Sequence, residues 1–586
     1  AAKEMSERTL AALPELSKTP YIGTFHSFCL TILRSQFQHL GRSNSFAIYD
    51  QSKQLSLLSK LCQELNLDSG KDSARQYLSQ ISQLKNKFIL PEDYYQQGNC
   101  DAQLFELYSR YQKSLIQNQS IDFDDMLLYT VLLFQRHPDI LTHYQDQYQY
   151  IMIDEYQDTN HAQYLLVKHL SNRHQKITVV GDFDQTIYSW RGANVENILR
   201  FEKDFQSANV IRLEQNYRST QSILDAANGL ILHNANRKPK HLWTHNSKGD
   251  PLWYFMGFDE KEEVEFIVKQ INTLTKDSDY TLNDIAILYR TNAQSRVVEE
   301  QLTYHKLPSR LVGGLKFYDR QEIKDMIAYL QLINNPHDFL AFERAIQRPS
   351  RRIGATSIKK LRLLSAEKEL SLYDLIQSKH PLPVSESQQQ ILCSFFDMLD
   401  TTRSIYNSTE DNKIAAALDT IIHESGYKTM LEQSHLDSDL ERLDNVYELK
   451  SMIKDEQSPL EVFLNELALM SAIEYTEETS SAASLMTLHH AKGLEFPIVF
   501  IVGVEDRLLP FYRTTSDKQN IEEERRLAYV GITRGQSRVY LSGTYQRTLY
   551  GEQWYHDISQ FVKELPRDTF QCYVSERVYS NASILS

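Results

Sequence analysis

The stretch Ile151–Asn160, IMIDEYQDTN, decides how this chain is read. A short apolar run leads directly into two adjacent acids, Asp154 and Glu155. A buried strand that delivers carboxylates to the edge of a parallel sheet has this form, and a Mg²⁺-nucleotide can sit at such an edge. Carboxylates of this kind normally work opposite a glycine-rich loop, G-x-x-x-x-G-K-[ST], whose lysine and amides hold the phosphates. The 586 residues contain no such loop. The closest string, SGKDS at Ser69–Ser73, lacks both the first glycine and the Ser or Thr after the lysine. Read alone, the chain carries half of a nucleotide site.

Length and composition bound the rest. Roughly four domains of about 150 residues each fit this length. A hydrophobic content of 41% and a charged content of 24% are ordinary for globular chains and leave room for large cores. The net charge of −14 gives no global basic footprint, so any nucleic acid must be held by a local groove. The five cysteines (Cys29, Cys62, Cys100, Cys393, Cys572) stand apart, with no C-x-x-C or Cys/His cluster. That disfavours zinc, iron–sulfur and disulfide frameworks and fits a reducing cytoplasm. Apolar runs such as PIVFIVGV (Pro497–Val504) fall far short of the ~20 residues of a membrane span, so no membrane partner is expected. The first residues, AAKEMSERTLAALPEL, have no initiator Met and open inside an amphipathic helical pattern, which reads as a chain cut upstream.

Along the chain, sheet-forming segments alternate with helical material. From about Ser27 to Gln119 the pattern is mostly helical. YIMID and KITVV (Lys176–Val180) then read as parallel strands around the helix-like HAQYLLVKHLSN. Further strands are predicted at VIRLEQN (Val210–Asn216), DIAILYR (Asp284–Arg290), PIVFIVG and RVYLSG (Arg538–Gly543). From about Gln321 to Ser480 the pattern is helical and charged again, and EYTEETSSAAS (Glu474–Ser484) reads as a linker.

The chemistry-bearing clusters fall near the predicted strands. VVGDFDQTIYSWRGA (Val179–Ala193) places Asp182, Asp184 and Gln185 after a strand, then Tyr188, Trp190 and Arg191. Aromatics beside a cation suit a base-stacking platform for a single strand, and a half-buried aromatic helix is the blander reading. Asp182 and Asp184, or IDFDD at Ile121–Asp125, resemble nuclease metal ligands, yet helix N-capping explains IDFDD equally well. RLEQNYRST (Arg212–Thr220) offers Arg218 for a phosphoryl group and Tyr217 for a base; an arginine after a strand is more often a solvated residue or a salt-bridge partner. LMTLHHAKGLEFPIVFIVG (Leu485–Gly503) sets His489, Lys492 and Glu495 before a buried strand. EEERRLAYVGITRGQSRVYLSG (Glu522–Gly543) is a charged helix leading to Thr533 and Arg534.

In this order the strings closely resemble the UvrD/Rep/PcrA family of superfamily 1 DNA helicases. DEYQDTN looks like motif II of that family, GDFDQTIYSWRGA motif III, LEQNYRST motif IV, LMTLHHAKGLEFP motif V and EEERRLAYVGITRG motif VI. GTFHSFC (Gly23–Cys29), LYRTNAQSR (Leu288–Arg296) and VGGLKFYDRQEIKDMIAYL (Val312–Leu330) match as well, so the resemblance spans nearly the whole chain. It implies an α/β fold with two RecA-like parallel-sheet cores, each carrying a mainly helical insertion. On that pattern the first core is 1–26 with 120–208, its insertion 27–119, the second core 209–321 with 481–586, and its insertion 322–480. The lysine-bearing loop of the family precedes the helix that AAKEMSERT continues, which makes a chain truncated in or before motif Ia the expectation.

The resemblance also implies roles. Asp154 holds Mg²⁺ and Glu155 is the base that polarises the attacking water. Gln185 senses the γ-phosphate of ATP, while Arg218 and Arg534 of the second core act as arginine fingers. Tyr217 stacks on adenine and Glu495 touches the nucleotide. His26, Tyr188, Trp190, Arg191 and His489 line a single-strand path. Expected cofactors are ATP and Mg²⁺. Expected partners are single-stranded DNA, junctions between single and double strands, and repair or replication proteins. The implied activity is ATP-dependent 3′-to-5′ translocation with duplex unwinding; the alternative is a non-catalytic DNA-binding fragment. The sequence departs from the family at Gly535, where alanine is usual, at Phe183, where an acid is common, and at Arg352, which breaks a G-I-G pattern in SRRIGATS.

Overall fold

The structure is a computed structural model that describes every residue except 1, 14–19, 68–70, 97–99, 190–191, 194–195, 236, 239, 278, 313–316, 318–319, 434–436, 452, 454–458, 465–480, 512–517, 550–551 and 582–586. The chain forms two compact units, Ala1–Ile211 and Arg212–Ser586.

The first unit is mainly helical around two short parallel pairs. Strand β1 (Ala47–Ile48) pairs with β2 (Ser120–Ile121), and β3 (Ile151–Ile153) with β4 (Ile177–Val179). The predicted strand–helix–strand unit is present, with the helix His161–Ser171 between β3 and β4. Asn160 starts that helix: its side chain accepts from the Gln163 N–H, and Gln163 accepts from the Asn160 N–H. This reciprocal cap satisfies two donors that a helix start otherwise leaves unpaired. Burial of β3 departs from expectation, since Ile151 packs on the unit's apolar core but Met152 is 80% exposed. Side chains alternate across a strand, so the half-buried Ile151 and Ile153 share one face while Met152 points from the other into solvent.

IDFDD is a helix start. Asp122 caps the helix Phe123–Arg136 in a capping box with Asp125. Both carboxylates also meet the buried ammonium of Lys85, at 2.6 and 2.8 Å. Lys85 sits near the end of the helix Lys71–Asn86, so this cluster pins that helix to the start of the helix Phe123–Arg136. Burial opposes the charge on Lys85, and the two aspartates override it and keep it protonated. Metal binding is not needed to explain these acids.

The second unit is built on a seven-stranded sheet, every pair of which is parallel. Its strands are β5 (Leu252–Gly257), β6 (Ile285–Tyr289), β7 (Ser309–Leu311), β8 (Ala483–Thr487), β9 (Phe496–Ile501), β10 (Gly535–Thr544) and β13 (Phe570–Val574), in the order β13-β5-β10-β9-β6-β8-β7. A small antiparallel pair, β11 (Gln546–Leu549) and β12 (Glu552–Tyr555), lies beyond β10. Every residue of β6 and β8 is buried, as suits parallel strands covered on both faces. DIAILYR, PIVFIVG and RVYLSG are strands as predicted.

VIRLEQN is not a strand. Only Gln215 forms a bridge, to Trp243, and Ile211 and Leu213 are 73% and 79% exposed. An apolar run becomes a strand only where a neighbour pairs with its backbone. Between β7 and β8 the described residues form helices from Gln321–Asn334 to Asp437–Ser451 around one apolar core, from Phe317 to Phe463. Most of EYTEETSSAAS lies outside the described residues, and its end, Ala483–Ser484, already belongs to β8.

Candidate functional site

In the first unit the acids of DEYQD stand where β3 ends. Asp154 and Glu155 are both exposed. Asp154 Oδ1 accepts the Glu155 N–H at 2.9 Å, and Glu155 has φ 51°, in the left-handed region. A non-glycine residue there costs roughly 1–2 kcal/mol and has to be held by its surroundings. A magnesium ion that arrives with a nucleotide keeps several waters and takes one or two carboxylates. Exposed neighbouring acids at a strand end suit that demand. No group of three or more His, Cys, Asp or Glu side chains, as a closed protein cage requires, comes together among the described residues.

The acids connect to the turn after β4 through a residue that sequence reading passed over. Gln157 is fully buried; its Nε2 donates to Glu155 Oε2 at 2.5 Å, and its Oε1 accepts the Asp182 N–H at 3.0 Å. Asp182 Oδ2 in turn accepts from Gln185 Nε2 at 2.9 Å, and Oδ1 accepts the Asp184 N–H. Asp182 thus caps the short turn Phe183–Gln185, and Asp184 is buried. Glu155 and Gln185, predicted separately, belong to one hydrogen-bonded chain. No spacing rule marks Gln157, because its role depends on how two loops meet.

Of the residues assigned to a single-strand path, His26 is partly buried and burial lowers its pKa below the usual imidazole value. Its ring meets Phe123 edge-on at 6.2 Å, and Phe123 is half exposed, an aromatic absent from the sequence-based assignment. Tyr188 is partly buried in a turn closed by hydrogen bonds from Gly192 N to Ser189 O and from Ala193 N to Tyr188 O. Trp190 and Arg191 lie outside the described residues. His489 is partly buried in the turn between β8 and β9.

In the second unit Arg218, Glu495, Thr533 and Arg534 converge. Arg218 Nε donates to Glu495 Oε2 at 2.5 Å, and its Nη1 donates to Thr533 O at 3.3 Å. Hydrogen bonding by Arg218 holds the Glu495 carboxyl below its ordinary pKa. Arg534 is buried: Nε donates to Val530 O, Nη1 to Leu494 O and Nη2 to Thr533 Oγ1, at 3.0, 3.2 and 3.2 Å. Glu495 and Arg534 immediately precede the paired residues Phe496 and Gly535, so the register of β9 and β10 brings them side by side. Ser219 Oγ donates to Gly535 O at 2.6 Å and ties the Arg218 loop to the same place. Tyr217 is 79% exposed, as a ring offered to a planar ligand must be.

Of the departures from the family pattern, Gly535 gains a physical reason here and Arg352 does not. A Cβ on Gly535 meets Val539 Cγ2 at 2.4 Å, so alanine does not fit. Arg352 has φ 61°, a conformation that favours glycine, and its carbonyl accepts from Gln388 Nε2 at 3.1 Å.

Comparison with known proteins identifies the family. Residues 1–206 match the family description "UvrD/REP helicase N-terminal domain", and residues 211–546 match "UvrD-like helicase C-terminal domain". The chain is 43% identical over 584 residues to the ATP-dependent DNA helicase PcrA of Bacillus subtilis, covering 97% of this chain and 79% of that protein. It is 42% identical over 580 residues to the protein of the same name from Leuconostoc citreum, covering 96% and 77%. The Staphylococcus epidermidis protein of that name is 40% identical over 588 residues, covering 98% and 80%.

Proposed function

The chain belongs to the UvrD/REP helicase family, and from that premise we propose that it works as an ATP-dependent DNA helicase, moving 3′-to-5′ along single-stranded DNA and unwinding duplex at junctions in repair or replication. The observation that carries this reading is the convergence of Arg218 and Arg534 on Thr533, beside Glu495. Separate stretches of chain are brought together to place two guanidinium groups next to one exposed loop. Positive charge so placed stabilises a phosphoryl group in transfer and is worth about 10³–10⁵-fold in rate.

In this reading Asp154 would hold the Mg²⁺ that accompanies ATP, and the ion would screen phosphate charge. Glu155 takes a proton from water as the water oxygen bonds to the γ-phosphorus. The bridging P–O bond breaks, and ADP leaves with the electron pair. Gln185 contacts the γ-phosphate, Tyr217 stacks on adenine, and Glu495 contacts the nucleotide. His26, Phe123, Tyr188, Trp190, Arg191 and His489 line the single strand. Residues 1–26 with 120–208 form the first core and 209–321 with 481–586 the second; 27–119 and 322–480 are their insertions. No helix among the described residues is long and apolar enough to cross a membrane. A cytoplasmic site of action accords with the cysteines, all of which are free.

A second reading has one specific support. The 586 residues hold no G-x-x-x-x-G-K-[ST] loop, so on their own they act as a DNA-binding polypeptide without turnover. Phosphate release with and without single-stranded DNA, measured on residues 1–586 and on a chain carrying such a loop upstream, decides between them. Turnover only with the loop, stimulated by DNA, is expected. DNA-stimulated turnover by residues 1–586 alone overturns the second reading, and none in either form overturns the first.

A further inference from the structure

We propose that Gln157 is a positioning residue for hydrolysis: its side-chain amide fixes the Glu155 carboxylate and ties it to the turn that carries Gln185. The inference rests on the reading of Glu155 and Gln185 given above.

The geometry is specific. Gln157 has no exposed surface, and both ends of its amide are used on groups of the site. The donor end holds Glu155 Oε2, and the acceptor end holds the backbone N–H of Asp182. Asp182 then holds the Gln185 amide through its second carboxylate oxygen. A shift of the Gln185 turn therefore reaches the base through one side chain, without passing through the sheet.

The surroundings are shaped around this contact. A Cβ on Gly181 falls 2.6 Å from Gln157 Oε1 and 3.0 Å from Ile198 Cδ1, so the chain approaches the amide more closely than any other residue allows. The backbone on either side is fixed, with Tyr156 N donating to Val180 O and Val180 N to Ile153 O. Glu155 stands in its left-handed conformation between these anchors. A carboxylate on a strained residue at an exposed turn has many rotamers available, and a buried amide donor selects one of them. Groups that orient a reacting residue in this way are commonly worth about 10–100-fold in activity.

A buried glutamine that merely satisfies its own polar atoms gives a different set of outcomes. The test uses the chain that carries a phosphate-binding loop upstream, where turnover is measurable. Gln157→Met keeps the shape and removes the amide; Gln157→Glu keeps the shape and sets an acceptor against Glu155. Each is expected to lower kcat by about 10–100-fold while KM for ATP and single-strand affinity change by less than about threefold. Gly181→Ala, which pushes on Gln157 Oε1 from the neighbouring loop, is expected to lower kcat in the same way. On a Glu155→Gln background, Gln157→Met is expected to add nothing, because the two act as a unit.

Undiminished kcat in both folded Gln157 variants overturns the proposal. So does a loss that multiplies with that of Glu155→Gln. If the Gln157 variants do not fold, Gly181→Ala decides with the same readouts. If Glu155→Gln itself leaves turnover intact, it is the assignment of the base that fails, and the two failures are separate.

Discussion

Arg218 and Arg534 lean on the same threonine but are held differently. Arg218 keeps part of its guanidinium exposed and is bound to a carboxylate, whereas Arg534 is buried on carbonyl oxygens. In a chain with a phosphate-binding loop, Arg218→Ala is expected to lower kcat by about 10³-fold. Its melting temperature and single-strand affinity should change little. Arg534→Ala is expected to lower kcat as well and also to melt earlier, because it removes a buried side chain together with its three hydrogen bonds, each worth about 0.5–1.5 kcal/mol net. Turnover assays and thermal melts on the two variants check both statements. Gly535 gives a second prediction: Gly535→Ala should destabilise by about 1–3 kcal/mol, since Val539 is buried and has to move. Urea unfolding measures it. At this scale residue type alone singled out Asp154, Glu155 and Arg218 as candidates. It was silent on Gln157 and Phe123, whose parts come from neighbours distant in the chain.

Helix starts were legible and lone apolar runs were not. The cap at Asp122 follows from the preference of a short acid for unpaired helix N–H groups, and the structure adds the ion pair with Lys85. The same corner predicts a pH effect. Asp124, beside Asp122, Asp125, Lys85, Asn86 and Ser82, has its pKa raised from 3.8 to about 6, first by burial and then by Asp122. Between those values the folded state holds the proton more tightly than the unfolded chain. This residue's contribution to stability therefore falls as pH rises from about 4 to 6, by at most about 1.4 kcal/mol per pH unit. Asp124→Asn has no such proton, so its stability relative to the parent should climb across that window in urea melts; a constant difference rejects the assignment. Strands are harder to read because pairing is a property of two segments. VIRLEQN has strand composition but only the single bridge at Gln215, whereas FQCYV, with largely exposed residues, is a strand because β5 lies beside it.

At the scale of the whole molecule, the division into two units with helical excursions was legible from the order of the motifs and from changes of hydrophobic period. Which strands are neighbours was not, because a parallel sheet is completed by segments far apart in sequence. The sheet of the second unit takes this to an extreme. Strand β5 is the first of its strands to be made, and both of its neighbours, β10 and β13, come from residues 535–574. On the ribosome, translation from the end of β5 to the end of β13 takes roughly 15–60 s at about 5–20 residues per second. Until β10 is made, late in that interval, the backbone edges of β5 lack both of the neighbours they have in the finished sheet. Stalled nascent chains ending just before Gly535 should therefore be cleaved within β5 by a protease that leaves the folded chain, in which β10 and β13 pair with β5, intact. The order in which the chain is made thus sets a period of vulnerability that the finished protein no longer displays.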